Sequence, residues 1–141
     1  MKLVRLRKVT AEERLEIRSL LRQLSYNSPL PPVSALNKML REKGFEVWVV
    51  REGDKIIGIA TLALIKRLSV QRARIEDVVV DKAYRGKGLG KALIKMLIER
   101  TKIIGISTID LTSRPDRVVA NKMYKKLGFM VNKTNVYRLQ L

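Results

Sequence analysis

The period of the apolar positions changes several times along the chain, and each change marks an element. Lys2 to Val9 reads as a short strand. Thr10 followed three residues later by Glu13 fits a capping box, and it opens a helix whose apolar positions Leu15, Leu20, Leu21 and Leu24 recur at helical spacing. The proline-rich stretch Ser25 to Ser34 cannot be regular structure, and Ser34 is placed to cap a second helix over Ala35 to Arg41. Phe45 to Arg51 and Ile56 to Ile65 flank Glu52-Gly53-Asp54 as a hairpin, and Arg74 to Val80 is the next strand. A helix follows over Leu89 to Lys102, with Leu89, Leu93, Met96 and Leu97 inward, then a strand over Thr108 to Thr112. Ser113, three residues before Asp116, caps a last helix with Val119, Met123 and Leu127 inward, closed by Gly128. Phe129 to Val131 and Asn135 to Leu141 complete the set as strands. These elements make one α/β domain over residues 1–141, a mixed twisted sheet of about seven strands flanked by about four helices, with β-α-β units in its second half.

Two absences narrow the chemistry. Without cysteine there is no thiolate nucleophile and no thiolate metal site, and without histidine the commonest general base and metal ligand are missing. Catalysis falls to carboxylates, Tyr, Lys, hydroxyls, backbone amides or water, and no metal site is expected. The longest apolar run, Ile56 to Ile65, is far shorter than the roughly 20 residues of a membrane span. The N-terminus lacks a signal peptide's apolar stretch, so the chain reads as soluble and cytoplasmic. The net charge of +17 attracts phosphates of any kind, but the bases are dispersed and aromatics make up only 5% of residues. A nucleic-acid-binding module is therefore disfavoured, though the charge leaves it open.

The most informative stretch is RIEDVVVDKAYRGKGLGKALIKML, Arg74 to Leu97. Arg85-Gly86-Lys87-Gly88-Leu89-Gly90-Lys91 lies between a strand and a helix, where glycines turn backbone N–H groups toward a ligand and the helix N-terminus adds positive charge. Phosphate or pyrophosphate is the expected guest. Lys91 stands where either a P-loop or a dinucleotide fingerprint needs its next glycine, so both fail.

R-x-x-G-x-G at Arg85, Gly88 and Gly90 resembles the acyl-CoA signature of the GNAT superfamily of N-acetyltransferases. LTSRPDRVVANKMYKKLGF, Leu111 to Phe129, resembles that superfamily's next block. The segment IEDVVVDKAYRGKGLGK is similar to glucosamine-6-phosphate N-acetyltransferases, and QLS, LTSRP and TNVYR look like uncharacterised bacterial members. The resemblance implies a GNAT fold and an N-acetyltransferase that moves acetyl directly from acetyl-CoA to a primary amine, leaving coenzyme A. Val78, Val79 and Val80 would then lie on a splayed strand whose free amides meet the pantetheine arm and acetyl carbonyl. The amides of Gly86, Lys87, Gly88, Leu89 and Gly90 would hold the pyrophosphate, with Arg85, Lys87 and Lys91 adding charge. Asn121 would contact the cofactor, and Tyr124 would contact it and protonate the departing thiolate. Arg117, Asn121 and Tyr124 share one helical face by spacing alone.

An amine of pKa near 10.4 is only about 0.04% neutral at pH 7, a deprotonation cost of about 4.6 kcal/mol, so a base is useful. Glu76 is favoured as base with Asp77 orienting the acceptor, and a water relay stays open. In a regular strand the two acids face opposite sides, and a bulge would change that. The competing reading of Glu76 is an ion pair with Arg74 or Arg72. The acceptor, a small-molecule or peptide amine, is expected to meet Tyr26 and Asn27 in the proline-rich loop, with Arg22 and Arg41 available for an anionic group. Lookalikes often dimerise through their final strands, which makes a homodimer one expected state. An acyl-CoA-binding regulator without catalysis is the remaining alternative.

Overall fold

The computed structural model describes residues 1–25 and 29–141. The elements run β1 (Lys2–Leu6), α1 (Ala11–Leu24), α2 (Val33–Met39), β2 (Phe45–Glu52), β3 (Lys55–Ile65), β4 (Arg72–Val80), a 3-10 turn (Lys82–Tyr84), α3 (Leu89–Ile104), β5 (Ile109–Asp110) and α4 (Val118–Lys126). The five strands form one sheet in chain order, antiparallel except for the β4–β5 pair. β3 is buried without interruption from Ile56 to Leu62, because helices cover both faces of the central sheet. On one face Ile17 and Leu20 of α1 and the residues of α2 pack over Val47, Val49, Ile59 and Val79. On the other, Leu93, Ile94 and Leu97 of α3 pack over Val50, Ile57, Ala73 and Ile75, with Met123 and Leu127 of α4 at the margin.

The capping box at Thr10 and Glu13 forms in both directions, at 3.1 Å and 2.8 Å. Other sequence expectations need correction. Among the described residues the sheet has five strands, not about seven: residues 129–141 contribute none, since no neighbouring strand there offers them a ladder. Strand Thr108 to Thr112 shortens to Ile109–Asp110. The last helix begins at Val118 rather than beside Ser113, because a turn closed by the Arg117 N–H on the Arg114 carbonyl intervenes. The Ser113 hydroxyl is left buried without a partner among the described residues. Val119 (84% exposed) and Leu15 (59% exposed) face solvent instead of the core. Ser34 lies inside α2, whose cap position is Pro32.

One buried charge organises the α3 side. Glu46 accepts two hydrogen bonds from Trp48 and Arg100 at 3.0 Å, another from Arg100 at 2.7 Å, and pairs with Arg5 at 2.9 Å. Burial alone would raise its pKa, but Arg100, Trp48 and Arg5 together outweigh burial and hold the carboxyl below its ordinary value of 4.5. A depressed carboxylate stabilises the fold above its unfolded pKa and loses that contribution as pH falls through the folded value. Glu46→Gln should therefore cost about 3 kcal/mol at pH 7, by stranding two half-buried guanidinium groups. In urea titrations the gap between variant and parent should shrink steadily below about pH 4.5.

Candidate active site

The centre of the site is a defect in β4. Between the pairs Thr61↔Glu76 and Ile59↔Val79, β3 advances two residues while β4 advances three. The extra residue is a β-bulge, and Asp77 occupies it with φ of 54°, the one non-glycine residue in left-handed backbone among the described residues. Such a position costs about 1 kcal/mol for a residue with a Cβ, and Asp tolerates it better than most. The bulge reverses the sidedness of the strand. Ala73 and Ile75 pack toward α3, whereas beyond the bulge Val79 turns toward α1 and Val78 and Val80 pack on the α3 side.

The reversal also brings the two acids together. Glu76 stands opposite Thr61, so the two share a face of the sheet, and the Thr61 hydroxyl donates to the Asp77 carboxylate at 3.2 Å. Glu76 is hydrogen-bonded to the Arg74 guanidinium, the ion pair its neighbourhood suggested, and its side chain is 42% exposed. Asp77 has no cation partner among the described residues. Although the residue as a whole is accessible, desolvation of its carboxyl raises the pKa above the usual value; the Thr61 hydrogen bond lowers it, and the charge of Glu76 raises it further.

Beyond the bulge, β4 loses a neighbour. The parallel ladder with β5 holds only Ala73↔Ile109 and Arg74↔Asp110, so among the described residues no strand pairs with the β5-facing edge from Ile75 to Val80. Backbone donors on such an edge need an external acceptor. Past the 3-10 turn Lys82–Tyr84 the chain enters the glycine loop. Gly86 (φ 79°) and Gly88 (φ 76°) both take left-handed backbone, with nothing within 4 Å of where a Cβ would stand. Gly88 caps α3 without a side-chain acceptor, so the first-turn amides of Leu89, Gly90 and Lys91 lack capping. Lys87 and Lys91 make no ion pair among the described residues; Lys87 lies 5.1 Å over the Tyr84 ring, and Tyr84 donates to Glu52. Free amides, a helix N-terminus and unpaired cations fit a diphosphate.

Arg85 is held in place. Its Nε donates to the Val80 carbonyl at 3.0 Å and an Nη to Gln23 at 3.4 Å, while the same Gln23 oxygen accepts from the Lys82 amide at 2.9 Å. On α4, Asn121 donates to the Arg114 carbonyl at 3.0 Å, fixing the loop ahead of the helix. Tyr124 packs at the margin of the α3-side core with its ring edge-on to Phe129, centroids 5.9 Å apart. Desolvation raises its pKa, opposed by the positive charge of Arg117, and its hydroxyl has no hydrogen-bond partner among the described residues.

Several contributors were beyond sequence reasoning. Gln23 looks like any polar residue on a helix surface, and Thr61 like any residue of a β-rich run. Arg117 donates to the Leu24 carbonyl at 3.1 Å, and Arg14 donates to the carbonyls of Leu30 and Pro31, so arginines hold both approaches to the proline-rich loop. Tyr26 and Asn27 lie outside the described residues.

The model of the acetyltransferase (GNAT) family matches residues 12–129. The chain is 33% identical over 139 residues to a glucosamine 6-phosphate N-acetyltransferase of Trypanosoma brucei brucei, covering 92% of each sequence. The crystal structure of a Trypanosoma brucei acetyltransferase superposes with a TM-score of 0.80 at 31% identity, over 99% of this chain and 100% of that one. A predicted acetyltransferase from Clostridium acetobutylicum, solved with acetyl-CoA, shares the fold with a TM-score of 0.76 at 18% identity, over 98% of this chain and 96% of that one. A bulged strand parting from its neighbour, an uncapped helix behind a glycine loop and a family match across both place this chain in the GNAT family of acetyltransferases.

Proposed function

We propose that the chain transfers the acetyl group of acetyl-CoA directly to a primary amine, with no covalent enzyme intermediate. The observation that carries this reading is the unpaired edge of β4 followed, after the 3-10 turn Lys82–Tyr84 and the glycine loop, by the uncapped start of α3. Acetyl-CoA supplies the thioester carbonyl. The edge amides within Val78 to Val80 are free to donate to the oxygen as charge develops on it, typically a large catalytic contribution. The amides of Gly86 to Gly90, with Arg85, Lys87 and Lys91, take the diphosphate, and Asn121 and Tyr124 close the α4 side.

The geometry favours a revised division between the acids. Glu76, committed to Arg74, serves better to orient the acceptor, and Asp77, uncompensated and raised in pKa, serves better as base. Asp77 takes one proton from the acceptor ammonium and the amine nitrogen bonds to the acetyl carbon; as the carbon–sulfur bond breaks, Tyr124 gives its phenolic proton to the thiolate, and the second proton lost from nitrogen on forming the amide restores the phenol through solvent. A phenol with a raised pKa stays protonated at neutral pH, as this donor must. The acceptor approaches over the sheet face that holds Thr61, Arg72, Arg74 and the two acids. The Trypanosoma relative acts on glucosamine 6-phosphate, which supports an amine bearing an anionic group, with Arg22 and Arg41 as candidates to receive it.

A homodimer fits the same picture. Residues 130–141 are exposed throughout, and Met130, Val131, Val136, Tyr137, Leu139 and Leu141 are each at least 73% exposed. Val118 and Val119 on α4 add to that apolar surface. Exchange of this segment between two copies would cover it against a sheet edge.

Three measurements test these assignments. By calorimetry acetyl-CoA binds 1:1, and Gly88→Val weakens it at least tenfold by forcing a branched side chain into left-handed backbone; unchanged affinity would remove the loop from the site. In the pH–rate profile Asp77→Asn lowers kcat at least a hundredfold and leaves only the acceptor amine's own titration on the acidic limb, whereas Tyr124→Phe flattens the basic limb with little change in acetyl-CoA affinity. An unaltered acidic limb in Asp77→Asn would return the base to Glu76 or to water. In solution the full chain has twice the 16.2 kDa chain mass, and removal of residues 130–141 yields a monomer; a monomeric full chain would exclude exchange.

A further inference from the structure

The strand register sorts the positive charge by position. Leu6 pairs with Val47, Phe45 with Ala63, Ile65 with Arg72 and Ala73 with Ile109, so all five strands present one set of termini at the same end of the sheet. The glycine loop follows Val80, at the opposite end. The segments that leave the first end carry Arg7 and Lys8 after β1, Arg41 and Lys43 before β2, and Lys66 and Arg67 after β3. All six are exposed, and none of their side chains makes an ion pair or hydrogen bond among the described residues. Glu42 is the one acid in these segments, which leaves six cations against one carboxylate.

This arrangement is neither dispersed surface charge nor part of the acetyl-donor site. Further along the sheet the balance changes: Arg72 pairs with Asp110 at 3.6 Å and Arg74 with Glu76, so the arginines near the acids are not free. The uncompensated cations form a ribbon across the ends of three adjacent strands, about 10 Å at an interstrand spacing of about 4.8 Å. A ribbon matches a line of phosphates better than a plane of headgroups, and at about 3.4 Å of axis per phosphate it spans about three of them.

We infer that the end of the sheet opposite the glycine loop binds the phosphate backbone of nucleic acid, without reading sequence, and does so independently of acetyl-CoA. No reading helix or aromatic platform accompanies the ribbon among the described residues, so the contacts position rather than specify. The ribbon adjoins the sheet face that bears Glu76 and Asp77, so an amine carried on a nucleic-acid-containing partner would arrive on the acceptor side while the donor end stays free.

The test uses the full chain and a fluorescein-labelled 20-nucleotide single-stranded RNA, followed by anisotropy across a salt series. The parent is expected to bind at 50 mM KCl with an affinity that falls steeply with salt, equally with and without saturating acetyl-CoA. Lys43→Glu/Lys66→Glu/Arg67→Glu should bind at least tenfold more weakly with a salt slope smaller by about two. Lys43→Gln/Lys66→Gln/Arg67→Gln should move in the same direction by less. Both variants should keep their affinity for acetyl-CoA within twofold, a readout that separates failure of this inference from failure of the donor-site assignment. The inference is overturned if the parent does not bind RNA at 50 mM KCl, if neither triple variant weakens binding, if acetyl-CoA competes the RNA away, or if phosphatidylserine vesicles bind and RNA does not.

Discussion

The site depends on a single irregularity, the bulge that holds Asp77 in left-handed backbone. Strand pairing fixes which side chains share a face, and one added residue exchanges the faces for everything that follows. In β4 that exchange sends Val79 into the core beneath α1, frees Val78 and Val80 to pack beneath α3, and sets Glu76 and Asp77 on one surface. The parting of β4 from β5 begins just before it, after the Arg74↔Asp110 pair, so the acids stand where the open edge starts. Backbone strain, the pair of carboxylates and the unpaired donors are thus parts of one local arrangement.

The rest of the molecule holds that arrangement rigid. Two helices on each face bury β3 from Ile56 to Leu62, and β3 is the strand against which the bulge is registered. The last turn of α1 reaches the glycine-loop end through Gln23, which fastens both Lys82 and Arg85, and meets α4 through the bond from Arg117 to Leu24. The proline-rich loop starts one residue later, so the proposed donor and acceptor sites share an anchor. The Glu46 cluster ties β1 and β2 to α3 on the far side, at the end of the sheet away from the glycine loop.

Much of this was legible in the residue order. The glycine loop between strand and helix, the capping box at Thr10, the hairpin of β2 and β3, and the family resemblance all rest on local patterns whose physics is contained within a few residues. What failed was non-local. The alternating apolar residues after Gly128 read as strands, but a strand exists only where a neighbour supplies its ladder, and no sequence period reports the neighbour. Ser113 and Asp116 have capping spacing, yet Pro115 and the turn through Arg117 delay the helix to Val118. The pairing of Glu76 with Asp77 on one face was hidden for the same reason, because a bulge is defined by the partner strand's register. Charge segregation was the least visible feature: the dispersal of lysines and arginines along the chain says nothing of the strand ends at which they gather.

The central claim is that the donor lies along the open edge of β4 from the bulge to the glycine loop, and amide chemical shifts test it residue by residue. Titration of acetyl-CoA into isotopically labelled protein should move the amide resonances of Val78 and Val80 and those of Gly86 to Lys91 together, saturating at one equivalent, while those of Arg7, Lys8, Lys43 and Lys66 stay in place. Resonances of the β4 edge and the loop that remain still while others shift would contradict the account.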